Sequence, residues 1–166
     1  MLCRNCELMS KEEWLHKNVL EISNEVFLKE VGILIAEGYD VTLCVRGVSM
    51  RPFLEDRRDK IVLTRPGVVK EGDAVLAEIN DGKYVFHRVV DIENRQVTLK
   101  GDGNVYGTEH CDVENIVASA KLFIRKGRSY SPDGWAWRCY SVLWPKCAMM
   151  RRVLLAIHRR LPFKWR

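Results

Sequence analysis

The sequence predicts a mainly β protein: an antiparallel β domain with an N-terminal amphipathic helix and a C-terminal basic amphipathic helix. Three observations predict this. Six β-branched or alternating runs fall between residues 41 and 126, clusters of Gly, Pro, Asn and Asp punctuate them, and helical periodicity is confined to the two ends. On this reading the chain divides into a helical segment 1–39, a β domain 40–127 and a basic aromatic extension 128–166.

The first helix is expected over residues 10–37. Ser10 and Glu13 form a capping box, Trp14, Leu15, Val19, Ile22, Val26 and Phe27 recur at helical spacing, and Gly38 terminates the run. Such a stripe packs on a sheet, and no second helix follows to make a helix-turn-helix DNA reader. The strands are expected at 41–46, 60–65, 74–79, 83–92, 96–100 and 116–126. Pro66-Gly67, Gly72-Asp73, Asp81-Gly82, Glu93-Asn94 and Gly101-Asp102-Gly103-Asn104 supply the turns, with Asp81-Gly82 closing a hairpin. Pro145 suits the first turn of a last helix running to about Arg160, and Pro162 stops it.

At 47% hydrophobic and 30% charged, the chain can bury a core and is not generally disordered. Its net charge of +5 is concentrated at one end. Arg138, Lys146, Arg151, Arg152, Arg159, Arg160, Lys164 and Arg166 face no acid after residue 134, which leaves 19 basic against 22 acidic residues before it. Residues 1–30 are too charged for a secretory signal, and no apolar run approaches the ~20 residues that span a bilayer. A cytoplasmic protein with its six cysteines reduced is expected. Cys3 and Cys6 make a C-x-x-C pair without a matching second pair, so a frayed terminus is expected there rather than a metal or redox site.

Chemistry is suggested by three pieces in order. Gly47-Val48-Ser49-Met50 follows a strand, with Pro52 stiffening its exit, so Ser49 sits on a tight turn. Phe86-His87-Arg88 lies inside the longest strand, where a base is held rigidly. Lys100-Gly101-Asp102-Gly103-Asn104 places a carboxylate in a turn, where it could orient an imidazole or simply make Asx hydrogen bonds. Glu109 and Asp112 follow as alternative acids. The charged residues after the serine, from Arg51 through Glu55, Asp56, Arg57, Arg58 and Asp59, read as a solvated turn, and Arg88 as a structural or substrate-side charge.

The boxes "GVSMRPFL", "RDKIVL", "EGDAVLAE", "VFHRVV" and "LKGDGN" resemble, in this order, the type I signal peptidase superfamily, which includes the self-cleaving SOS repressors. The resemblance covers roughly residues 40–125. It implies a serine endopeptidase without metal or cofactor, with Ser49 as nucleophile and the backbone N–H of Ser49 in the oxyanion hole. "HRVV" is similar to the histidine-base, endoplasmic-reticulum-type branch, which implies His87 as base and Asp102 as its acidic partner. A free imidazole accepts a proton near ~pH 6.5, without the desolvation that a lysine base needs. Lys83, on the same strand, is the competing base. Two features depart from the family: Gly47 stands where many members carry a serine that helps bind the oxyanion, and only an amphipathic helix stands where signal peptidases have a membrane anchor.

The expected substrate is a peptide or protein precursor. The basic tail 135–166, with Trp135, Trp137, Trp144 and Trp165, suits either peripheral contact with the inner membrane face or docking on the domain, and suits nucleic acid poorly. The competing functional readings are a catalytically inactive peptidase-fold binding module and a self-cleaving regulator, the latter requiring a DNA-binding domain not evident in residues 1–40.

Overall fold

Helix α1 spans Asn24–Ala36 in the computed structural model, which describes residues 24–80, 82–104 and 106–146. The start of the expected 10–37 helix, the Cys3/Cys6 pair and the chain beyond 146 lie outside the described residues. The α1 helix ends as its sequence predicts. Gly38 has φ +95°, and the N–H groups of Gly38 and Tyr39 bond back to the carbonyls of Ile35 and Leu34. Val31 and Ile35 face inward, and Gly32 passes so close to β-strand residue Val117 that a methyl group there would lie 2.9 Å from its Cγ1.

Eight antiparallel strands form one sheet: β1 Val41–Cys44, β2 Lys60–Thr64, β3 Ala74–Asn80, β4 Lys83–Glu93, β5 Gln96–Lys100, β6 Glu109–Asp112, β7 Ile116–Arg125 and β8 Arg128–Tyr130. Their order is β1-β2-β7-β3-β4-β5-β6, with β8 pairing β7 off this path. The mainly β expectation therefore holds. All six expected strands occur, within two residues at each end, and β3 and β4 form the hairpin expected around Asp81-Gly82. The sequence reading missed β6 and β8. In β6, Glu-His-Cys-Asp buries only Cys111, so almost no apolar alternation announces it.

The central strands are covered on both faces. In β3, Ala74 and Leu76 join the larger cluster of Val31, Ile35, Leu43, Leu54, Leu63, Phe123 and Trp137. Val75 and Ala77 face the smaller one of Val89, Val97, Leu99, Cys111 and Ile116. The unbroken apolar run in β3 is what burial on both faces demands.

Helix α2, Trp135–Lys146, was not foreseen; the helix expected from Pro145 to about Arg160 lies almost wholly outside the described residues. Helix α2 docks on the domain. Trp137 and Trp144 are buried, Phe53 stacks on Tyr140 at 5.0 Å, and Phe123 lies 4.3 Å from Trp137 between ring centroids. These aromatic residues serve the core, whereas Trp135 is 81% exposed. None of the described helices is long and apolar enough to cross a membrane.

Candidate active site

The turn after β1 is built from the charges read earlier as solvated. Asp59 is fully buried, which corrects that reading. Its carboxylate accepts from Arg58 Nε and Nη2, each at 2.7 Å, from the Glu55 N–H at 2.9 Å and from the Lys126 N–H at 3.3 Å. Burial by itself would raise the Asp59 carboxyl, but these donors outweigh it and hold it below the usual carboxylate range. Asp56 accepts the Gly47 N–H at 2.8 Å, and Arg51 pairs with Glu55. Gly47 itself sits at φ +91°, as the expected tight turn requires. Met50, Phe53 and Leu54 anchor the following helical turn in the core and leave Ser49 half-buried at the rim, beside exposed Val48.

Strand β4 presents His87 and Arg88 to different partners. His87 is buried, and its Nδ1 lies 3.0 Å from Glu109 Oε2, on the first residue of β6. An ionised carboxylate only accepts, so Nδ1 carries the hydrogen in this contact, and in the neutral imidazole Nε2 is the nitrogen left with a lone pair. Arg88, also buried, donates through Nε and Nη2 to the two Asp102 oxygens at 2.8 and 2.7 Å. Asp102 was expected beside the imidazole. The structure instead commits it to a bidentate pair with Arg88, and gives Nδ1 to Glu109. Arg88 takes the structural role foreseen for it, and Lys83 is exposed at the far end of β4.

The 101–104 turn brings Ser49 and His87 into one neighbourhood. The Gly103 N–H donates to the Ser49 carbonyl at 2.7 Å. A Cβ on Gly101 would stand 2.7 Å from that same oxygen and 3.0 Å from His87 Nε2, and a Cβ on Gly103 would stand 2.3 Å from the Val48 carbonyl. Two glycines therefore let the turn, the serine loop and the imidazole share one small volume. Among the described residues, the Ser49 N–H and Oγ have no hydrogen-bond partner.

The matched family is described as Peptidase S24-like, and the match runs over residues 10–123. The chain belongs to the Peptidase S24-like family. No curated protein matches it significantly. The S24-like match contains the serine turn, β4, the glycine turn and β6, and it ends before β8 and α2. The peptidase fold is thus shown, and the serine, histidine and glycine-turn boxes meet around Gly101. Sequence reasoning placed Ser49 and His87 there and named Glu109 only as a substitute acid. The available signal was position: Glu109 follows the glycine turn closely enough to return beside β4 through β5, with which β6 pairs at Leu99.

Proposed function

We propose that this protein is a serine endopeptidase of the histidine-base type, acting on a peptide or protein precursor with Ser49 as nucleophile and His87 as general base. The observation that carries the reading is the His87 imidazole, held at Nδ1 by Glu109, with Nε2 and the Ser49 carbonyl both flanking Gly101, 3.0 and 2.7 Å from where a Cβ there would stand. Ser49 Oγ attacks the scissile carbonyl carbon and its proton passes to His87 Nε2. The Ser49 N–H stabilises the developing oxyanion, and the imidazolium, balanced by Glu109, returns the proton to the leaving amine. Water, deprotonated by the same imidazole, then hydrolyses the acyl-serine.

Gly47 supports the alternative of an inactive binding module, because it leaves the oxyanion to backbone donors. At φ +91° a serine there would be strained, so this turn is built without that hydroxyl rather than having lost it from a serine-ready backbone. Incubating the full chain with a diverse peptide library separates the two readings by mass spectrometry. Peptides cleaved by the native protein and spared by Ser49→Ala establish the peptidase; an identical product pattern with Ser49→Ala, or no products at all, favours the binding module.

The proposed setting is the cytoplasm, with the basic residues beyond Arg151 touching an anionic membrane face. Trp137 and Trp144 do not contribute to that contact, because the domain buries them.

A further inference from the structure

Helix α2 follows the S24-like match, yet it touches the catalytic turn directly. The buried Trp144 indole Nε1 donates to the Asp102 carbonyl at 2.9 Å, between the two glycines that hold Ser49 and crowd His87. One turn back, Tyr140 stacks on Trp144 at 5.6 Å. The Arg88 guanidinium, which grips the Asp102 side chain, lies 4.1 Å from the Trp137 ring centroid and 5.1 Å from that of Tyr140. Trp137 Nε1 and Arg88 Nη1 also converge on the Gly72 carbonyl, each at 3.2 Å. Asp102 is thereby held from both ends, its carboxylate by an arginine that α2 covers and its carbonyl by α2 itself.

We propose that α2 is a built-in clamp on the catalytic turn, with Trp144 as a positioning residue that sets the Ser49–His87 approach through Asp102. The proposal rests on the Ser49–His87 reading. Nothing else on α2 explains an indole hydrogen bond to that carbonyl: packing alone needs the ring, not a buried N–H donor aimed at one peptide group. Because that donor ends at the turn whose Gly103 N–H holds the Ser49 carbonyl, losing it loosens the nucleophile's own backbone.

The test uses the full chain carrying Ser49→Cys, whose alkylation by iodoacetamide is followed against pH by peptide mass mapping. A thiol beside an imidazole reacts at low pH as a thiolate–imidazolium pair. His87→Ala should abolish that low-pH limb; if it does not, the dyad fails and the clamp with it. Trp144→Phe keeps the ring and removes the donor, and should weaken the limb by about three- to tenfold, the worth of one net hydrogen bond. The exposed Trp135→Phe should leave it intact. A limb that depends on His87 but is untouched by Trp144→Phe overturns the clamp alone. A second readout needs no variant at these positions. In native-state hydrogen exchange of the unmodified protein, the Trp144 indole N–H and the Gly103 amide should open in one step. Exchange of the indole while Gly103 stays protected would overturn the proposal.

Discussion

Glu109 and Asp102 are both carboxylates downstream of His87, and what separates their roles is the partner each already holds. Asp102 is buried against Arg88, and a buried pair broken on one side leaves an uncompensated charge. Asp102→Leu should therefore destabilise the fold by about 3–5 kcal/mol in a denaturant titration. Glu109 is partly open to solvent, with its side chain 28% exposed, so Glu109→Gln should leave the denaturation midpoint nearly unchanged. Its cost should fall on turnover, in the range of about 10²–10⁴-fold attributed to general-base assistance, read as kcat on a cleaved peptide. Asp59 makes a different prediction. Its carboxyl is depressed in the folded protein, so its stabilisation is complete above the unfolded value near ~3.9 and is lost as pH falls through the lower folded value. Thermal melts from pH 7 down to pH 2 should show that loss, and Asp59→Asn should be less stable at pH 7 with a shallower acid limb.

At the scale of elements, the legible parts were those with a repeating pattern. The alternation in β2 and β5 and the glycine after α1 were sufficient, because burial on one face and a left-handed terminator leave direct marks on residue type. The β6 strand left almost none: it is held by pairing with β5 and contributes one buried cysteine, so its charged residues read as loop. Helix α2 was passed over although Trp137, Tyr140 and Trp144 recur at helical spacing along it. Asp59 misled for the opposite reason, since five other charged residues surround a carboxylate that the fold buries completely. The glycine turn yields the prediction for this scale. Gly103→Ala would force a methyl to within 2.3 Å of the Val48 carbonyl, so the serine loop must move. Cleavage should fall by about 10²-fold, the cost of a misplacement of an ångström or so at a reacting group.

For the whole molecule, the charge divide and the fold now point in compatible directions. The acidic-leaning first 134 residues contain the sheet and its site, and six of the eight basic residues that follow lie after Lys146 in the sequence. Full-length protein should bind vesicles containing phosphatidylserine, and the binding should fade as salt rises; replacing Arg151, Arg152, Arg159 and Arg160 with Gln should abolish it, as read by vesicle co-sedimentation. The fold class was readable because strand period and turn chemistry are local, and the gathering of Ser49 and His87 at the glycine turn because their boxes keep a family order. The acidic partner was not, because two carboxylates competing for one imidazole are told apart only by three-dimensional pairing. The central claim is that Ser49 and His87 act as a unit, and residues that do so lose activity non-additively. The most direct test is kcat/KM on one cleaved peptide for Ser49→Ala, His87→Ala and the double variant. The account predicts that each single variant loses nearly all activity and that the double variant is no worse. A single variant retaining native kcat/KM, or losses that simply add, would contradict it.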